Sequence, residues 1–270
     1  MSPISIPGKV TLRQTWQPMD PDAAAYITAV ESADGQALEE PVKIAIDNFV
    51  LGCKADGIWD AIKASCILAG ARTLDGALVP LVGAAPDKYG TEGNWNYNRK
   101  TGLQGDGSTN YLDSNQTATV TSPTNYHQSA YVSAKPSVNT AFVASDNVND
   151  QRYLLYSNIS ADETRAISGR LGTAYFGGAG SLEIGFKGVT RNSSTTFNAR
   201  SNAITSPPIS SAAGNSTALT SFIFATNFNG APIGFGNARL SFYSIGESLD
   251  LAALDTRVSN LITAIGAAIP

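Results

Sequence analysis

The stretch Ala238-Arg-Leu-Ser-Phe-Tyr-Ser-Ile245 decides the fold class of this chain, because its aromatic and branched residues are typical of a β-strand. After it, apolar residues recur at spacings of three and four, which predicts an amphipathic helix over residues 249–265. Ser248 and Asp250 are placed to cap the start of this helix. The apolar positions of the helix are Leu251, Leu254, Val258, Leu261, Ile262 and Ile265.

Short runs of the same strand-like kind fill the region before this stretch, from Tyr89 onward. Turn residues separate them, as in Gly105-Asp-Gly107 and Arg191-Asn-Ser193. Many short strands at near-regular spacing predict a sandwich or a barrel rather than a parallel α/β sheet. The segment Ser201–Thr220 is rich in Ser, Pro, Ala and Asn and is predicted as a long loop. The predicted strands are Asn110–Leu112, His127–Val132, Thr140–Ala144, Arg152–Tyr156, Ala166–Gly169, Ser181–Phe186, Gly188–Asn192, Ser194–Ala199 and Ser221–Ala225.

The composition changes near residue 86, and the residues before it show helical periodicity. A first helix is predicted to begin at Asp20-Pro21 and to end at Gly35. A second begins near Glu40-Pro41 and ends around Gly52 or Gly57, and a third spans Ile58–Ala69. We therefore expect a helical assembly or docking module over residues 1–86. A β domain with its closing helix follows over residues 87–270.

Composition excludes several classes of function. The chain has 270 residues, of which 15% are charged, with 18 basic against 22 acidic side chains. This balance provides no cationic surface for nucleic acid. No apolar run reaches about 18 residues, so no transmembrane helix is expected. The first residues, MSPISIPGKV, lack the apolar core of a secretory signal peptide.

Residue types that perform metal and nucleophilic chemistry are scarce. The single histidine, His127, excludes sites that need two imidazoles, and in its strand-like context a bond to backbone or solvent is expected. Cys53 and Cys66 cannot form a four-cysteine zinc site. Their apolar neighbours favour two buried, reduced thiols, although the spacing does not exclude a disulfide.

Two parts of the chain resemble known proteins. The run Leu240-Ser-Phe-Tyr-Ser-Ile-Gly-Glu-Ser-Leu249 resembles the closing strand of concanavalin-A-like (laminin-G-like) jelly-roll domains in phage proteins. The stretch Ile184-Gly-Phe-Lys-Gly-Val-Thr-Arg-Asn-Ser-Ser194, with Phe197-Asn-Ala-Arg-Ser-Asn202, is similar to the central hairpin of that family. The segments over residues 49–74 and 97–114 are similar to virion-associated proteins of tailed bacteriophages. The resemblance covers roughly residues 20 to 266.

This resemblance implies an antiparallel jelly-roll sandwich in a structural protein of a phage particle. Such proteins build tail fibres, baseplate appendages or capsid decorations, and several bind surface glycans. We expect a virion location, other phage virion proteins as partners, and a homo-oligomer, with a trimer as the usual choice for fibre-like parts. A tail-fibre adhesion component that binds a host surface glycan is the first hypothesis, and a capsid decoration protein is the alternative.

The densest candidate for glycan binding is Asn94-Trp95-Asn96-Tyr97. Aromatic faces suit the apolar faces of sugar rings, and amide groups suit their hydroxyls. The alternative is that Trp95 and Tyr97 pack the helical module onto the sheets, and this alternative is favoured.

A calcium candidate consists of Asp146, Asn147, Asn149 and Asp150, which supply oxygen ligands within a run of five residues. This run lacks the glycine and the terminal glutamate of an EF-hand loop. No other metal or cofactor is expected.

Catalysis is not expected. The jelly-roll hydrolases of β-glucans carry alternating acids on one strand. The glutamates after residue 86 do not form such a pair, so a glycan-degrading enzyme is the least favoured alternative. These glutamates are Glu92, Glu163, Glu183 and Glu247.

Overall fold

The computed structural model describes residues 16–147, 151–169 and 182–270, and it confirms a mainly β, antiparallel sandwich. The helices are α1 (Pro21–Asp34), α2 (Glu40–Ala55), α3 (Leu74–Ala77) and α4 (Leu251–Ala268). The strands are β1 (Ile62–Ile67), β2 (Asp87–Tyr89), β3 (Asn96–Asn98), β4 (Gly102–Gln104), β5 (Tyr111–Thr117), β6 (Tyr126–Ala134), β7 (Ala141–Asp146), β8 (Arg152–Asn158), β9 (Glu163–Gly169), β10 (Gly185–Arg191), β11 (Thr196–Ser201), β12 (Ile204–Thr205), β13 (Ile209–Ser210), β14 (Thr220–Ile223), β15 (Thr226–Phe228), β16 (Ala231–Ile233) and β17 (Arg239–Gly246).

The strands form two sheets. One sheet, here called the covered sheet, contains β1, β3, β4, β6, β10 to β13 and β17. The other, here called the open sheet, contains β2, β5, β7 to β9 and β14 to β16. Among the described strands, pairing is antiparallel except between β15 and β7. The two sheets face each other across one apolar core, to which Val189 and Tyr243 of the covered sheet and Leu112 and Ile223 of the open sheet contribute.

A second core lies on the outer side of the covered sheet. There α1, α2 and α4 pack with Phe186 and Phe242 around buried side chains such as Val30 and Phe49. No open-sheet residue in the described ranges belongs to this cluster. The described residues therefore form three layers, and the helices among them lie on one side of the sandwich.

Local signals placed both ends of α1 correctly, whereas α4 extends to Ala268, three residues beyond its predicted end. The Asp20 carboxylate accepts hydrogen bonds from the amides of Asp22 and Ala23, and Gly35 adopts the left-handed conformation with φ 63°. Asp250 caps α4 through two backbone amides, as predicted. Ser248 does not, because its hydroxyl bonds to Asn125 instead.

The predicted third helix over Ile58–Ala69 is wrong. A single 3₁₀ turn (Trp59–Ala61) leads into β1, which pairs antiparallel with β17. Ile62 and Ile67 face the helical core while Ala64 and Cys66 face the sandwich. A strand buried on both faces has a nearly continuous apolar run, which helical spacing also matches. The parts predicted to divide at residue 86 therefore share one sheet.

Two smaller predictions also need correction. The predicted strands Ser181–Phe186 and Gly188–Asn192 are represented by one strand, β10, although Ser181 lies outside the described residues. The predicted loop Ser201–Thr220 includes β12 and β13. Neither correction changes the sandwich. Within the described ranges, no helix is long and apolar enough to span a bilayer.

Candidate ligand-binding face

A stacked pair of tyrosines marks the outer face of the open sheet. Tyr89 on β2 and Tyr111 on β5 are directly opposite each other in the ladder. Their ring centroids are 4.8 Å apart, and the rings are within 7° of parallel. Tyr89 is 44% exposed, which is unusual for a large aromatic side chain that already has a stacking partner. The pair therefore presents aromatic surface to solvent.

Ring contacts continue from Tyr111 across the sheet and into the β16 region, although Phe222 itself is buried. Tyr111 contacts Phe222 at 4.6 Å and Phe235 at 6.1 Å between ring centroids. Ile233 is 46% exposed at the end of β16. Here Tyr89, Tyr111, Phe222 and Phe235 are called the tyrosine platform.

Two carboxylates form the neighbouring rung of the same face. Asp87 and Asp113 are directly opposite each other, and Asp113 is also opposite Phe222. The side-chain amide of Asn115 donates to the Asp87 carboxylate, and the backbone N–H of Asn115 donates to the Asp113 carboxylate. In the described ranges neither carboxylate has an ion-pair partner. Hydrogen-bond acceptors thus lie beside the platform.

The surroundings of Tyr111 shift the pKa of its hydroxyl. Burial raises the pKa of the Tyr111 hydroxyl, and the neighbouring Tyr89 and Asp113 act in the same direction. Tyr111 therefore stays protonated as a neutral donor at neutral pH. Close by, Lys88 pairs with Glu92 at 2.6 Å, so this cation is already neutralised.

The two aromatic residues of the predicted glycan cluster, Trp95 and Tyr97, mainly pack against other parts of the chain. Trp95 meets Phe224 edge-to-face at 5.9 Å between centroids. Its indole nitrogen is buried and has no hydrogen-bond partner. The Tyr97 hydroxyl donates to the Ala71 carbonyl at 2.7 Å, and its ring contacts both cores. Tyr97 thus matches the packing alternative, whereas Trp95 packs against the sandwich core and not the helical one, and glycan binding by this cluster stays a prediction.

The two predicted asparagines are exposed, and Asn94 bonds to the loop that precedes the tyrosine platform. Asn94 donates to the Asp106 carboxylate at 3.1 Å, whereas Asn96 is exposed beside it in the chain. Asp106 also accepts from the amides of Ser108, Thr109 and Asn110, directly before Tyr111. Partial burial opposes ionisation of Asp106, but these donors hold its pKa well below the usual range. This loop joins the predicted cluster to the tyrosine platform.

The calcium candidate is only partly described. The Asp146 carboxylate lies 3.1 Å from the Arg152 guanidinium, and burial raises its pKa despite that neighbour. The Asn147 side chain contacts Gln151. Asn149 and Asp150 lie outside the described residues. Across the described ranges, no three His, Cys, Asp or Glu side chains are grouped as metal ligands.

His127 lies on β6 opposite Gly246 of β17 and is fully buried. Its Nδ1 donates to the Glu247 carbonyl at 2.6 Å, which leaves Nε2 to accept from the Ser244 hydroxyl at 2.9 Å. Ser129 extends this chain through a 2.7 Å contact with Ser244. Burial lowers the pKa of His127 to about 4. The predicted hydrogen bond between His127 and the backbone is confirmed.

Both cysteines are free and buried. Cys53 lies in the helical core and Cys66 in the sandwich core, so the covered sheet separates them. Burial raises the pKa of each thiol to about 12.

The tyrosine platform was missed from the sequence. Tyr111 lies in the predicted strand Asn110–Leu112, but Asp113 lies just beyond the predicted end of that strand, so the sequence did not place the two on one strand. Tyr89 joins them through the cross-strand register, and β2 is only three residues long. Such a short strand has too few residues for periodicity to show.

Comparisons with known proteins bear on the fold. No family model matches the chain, and no curated protein matches it. Part of a Trypanosoma rangeli sialidase mutant displaying trans-sialidase activity matches with a TM-score of 0.51 at 11% identity, over 82% of this chain and 39% of that chain. The botulinum neurotoxin serotype D binding domain matches with a TM-score of 0.50 at 14% identity, over 74% of this chain and 51% of that chain. The chain thus spans about half or less of these structures, and the likeness shows a shared fold alone.

Proposed function

We propose that this protein is a non-enzymatic binding protein that holds a carbohydrate on the outer face of the open sheet. The observation that carries the proposal is the Tyr89–Tyr111 stack on the face opposite the helices. An exposed aromatic surface on a rigid sheet needs no rearrangement to accept a flat apolar ligand surface.

The chemistry around the stack suits a sugar. Pyranose rings have an apolar face of C–H groups that packs on aromatic rings, and hydroxyl groups at the edge that donate to carboxylates. Asp87 and Asp113 are available as acceptors beside the stack. The neutral Tyr111 hydroxyl adds a donor or an acceptor.

The sequence resemblance to phage jelly-roll proteins supports a finer proposal. In it, the protein is a tail-fibre or appendage component of a tailed phage, located in the virion and assembled as a homo-oligomer. The three-layer fold suits this role, because the helices are free to contact other virion proteins while the open sheet meets a host surface glycan. A trimer is the expected oligomer.

A capsid decoration protein is the second candidate, since the same resemblance supports it. Decoration requires hundreds of copies per particle, whereas fibres require tens or fewer. Copy number in purified particles therefore separates the two. Hydrolysis is not proposed for either, and release of reducing ends from a bound glycan would contradict both.

The binding proposal is tested on a glycan array, followed by titration of the strongest ligand. Tyr89→Ala removes the exposed ring, and we expect about tenfold weaker binding, which corresponds to about 1.4 kcal/mol. Tyr156→Ala is the matched control, because Tyr156 lies on β8 of the same sheet, three strand spacings or about 14 Å from β5. Absence of any array ligand, or equal losses in both variants, would refute the proposal.

A further inference from the structure

Two carboxylates face each other beside the tyrosine platform, and no described cation pairs with either. Asp87 and Asp113 are directly opposite in the ladder of β2 and β5, an arrangement that places Cα atoms about 4.5 to 5.5 Å apart. Like charges in such a pair destabilise a sheet. The donors that they receive from Asn115 are neutral N–H groups, which soften this repulsion without cancelling the charge. The face therefore retains two negative charges.

The cation nearest in the sequence belongs to the other face of β2. Lys88 lies between Asp87 and Tyr89, so its side chain is on the opposite side of the strand. Its ammonium is 2.6 Å from the Glu92 carboxylate, which already pairs with it. The chain as a whole has a formal net charge of −4. Local and overall charge thus both disfavour anions at the platform.

The negative charge also reaches the aromatic stack. Burial and the neighbouring Tyr89 raise the pKa of Tyr111, and the Asp113 charge adds to this effect. Along each strand, the carboxylate and the tyrosine are two residues, or about 7 Å, apart on one face. A sugar ring that packs on the exposed Tyr89 ring therefore places its edge substituents beside the carboxylates.

This arrangement determines which substituents the site accepts. A carboxylate or sulfate on the sugar would add a third negative charge beside two others and would lose part of its hydration. A hydroxyl donates to a carboxylate without this repulsion, and a protonated amine gains charge attraction as well. Building on the carbohydrate function proposed above, we infer that the site binds neutral and basic glycans, and that Asp87 and Asp113 exclude acidic ones.

The test is a glycan array on which each neutral glycan has two counterparts of the same linkage, one acidic and one with a free amine. Oligomers of glucose, glucuronic acid and glucosamine form one such set. Bound glycans are then titrated at about 10 mM and about 1 M salt, between which the Debye length falls from about 30 Å to about 3 Å.

At low salt, we expect the acidic counterpart to bind about tenfold more weakly than the neutral glycan and the amine about tenfold more tightly. Both differences should shrink at high salt, because the charges are then screened. A steric restriction would instead disfavour both substituents at either salt concentration.

The variant Asp87→Asn with Asp113→Asn should bring the ratio of acidic to neutral Kd towards one, since the amides keep the shape of the side chains without their charge. The control is Glu40→Gln with Asp60→Asn, which removes the same number of charges from the helical side. Glu40 begins α2 and Asp60 borders a groove beside α1, and both are exposed. The control should keep the ratio of the natural protein. Circular dichroism verifies that both are folded, and the salt dependence of the natural protein decides if the first is not.

Acidic glycans that bind as tightly as neutral ones, and lose binding in Tyr89→Ala, would overturn the charge selectivity and leave the carbohydrate function in place. An unchanged ratio in the folded Asp87→Asn, Asp113→Asn variant would overturn it as well. Glycan binding that Tyr89→Ala does not weaken, or no glycan binding at all, would refute the carbohydrate function and the selectivity with it.

Discussion

Arg99 and Glu39 form a two-bond ion pair that joins the helical layer to the edge of the covered sheet. Nη2 lies 2.7 Å from Oε2 and Nη1 lies 3.2 Å from Oε1. Glu39 directly precedes α2, and Arg99 follows β3. The same guanidinium donates to the carbonyls of Gly70 and Ala71. One side chain thus fixes the start of a helix, a connecting segment and a strand end.

Replacing Arg99 should therefore loosen the contact between these layers. We expect Arg99→Ala to lower the free energy of unfolding by about 1 to 3 kcal/mol, since a charged, hydrogen-bonded group is lost. Urea denaturation followed by circular dichroism measures this. Lys88→Ala is the control, because it breaks a more exposed pair with Glu92 and should cost less than about 1 kcal/mol. Equal losses would show that the two-bond geometry adds nothing.

His127 should make the fold sensitive to mild acid. Its pKa in the folded protein is about 4, lowered by burial from 6.5, so between these values the unfolded chain binds a proton that the folded chain does not. Stability therefore decreases as pH falls from about 6.5 to 4, by up to about 3 kcal/mol, and His127 adds no pH dependence above that window.

The matched variant for this prediction is His127→Gln, which retains a polar side chain without a titrating group. Its unfolding free energy, measured by urea denaturation at a series of pH values, should vary less between pH 6.5 and 4.5. Glu39 acts mainly below this window, because the Arg99 hydrogen bonds lower its pKa and its contribution is lost only as pH falls below about 4.5. A variant with the same slope as the natural protein would contradict the assignment.

A side chain at position 188 should destabilise the fold. A methyl group at this position would lie 2.8 Å from Cε1 of Phe186 and 2.9 Å from Cδ2 of Leu251, and both of these side chains are buried. We expect Gly188→Ala to lower the unfolding free energy by about 1 to 3 kcal/mol. Gly266→Ala is the control, since a methyl group there has no atom within 4 Å and lies inside α4. That variant should gain about 0.5 to 1 kcal/mol in thermal or urea unfolding.

Local chemistry made much of this fold predictable from the sequence. Asp20, Gly35 and Asp250 each determine a helix end through bonds to residues at most a few positions away. Nine of the seventeen described strands were also found, because alternation and turn residues are local signals, whereas the strands of two or three residues were missed. The covered sheet shows the limit of such signals. Its β1 resembles a helix until its pairing with β17, almost two hundred residues later, is known.

The candidate site was less predictable, because its residues are brought together only by the pairing register of β2 with β5. Trp95 and Tyr97 stand out in the sequence, but an aromatic run indicates neither which ring is exposed nor which is packed. Tyr89 and Tyr111 are unremarkable in the sequence and become a platform only when β2 and β5 are aligned. Information of this kind lies in long-range contacts.

Substitutions in the sequence-predicted cluster should separate its contribution to packing from any contribution to binding. Trp95→Ala should cost about 2 kcal/mol or more in urea unfolding, because it removes the contact with Phe224 and leaves a cavity. Asn96→Ala should change stability by less than about 0.5 kcal/mol, since its side chain is exposed. Glycan affinity, measured by titration on folded protein, should be unchanged in Asn96→Ala and reduced in Tyr89→Ala. The reverse order would move the binding site from the tyrosine platform to residues 94–97.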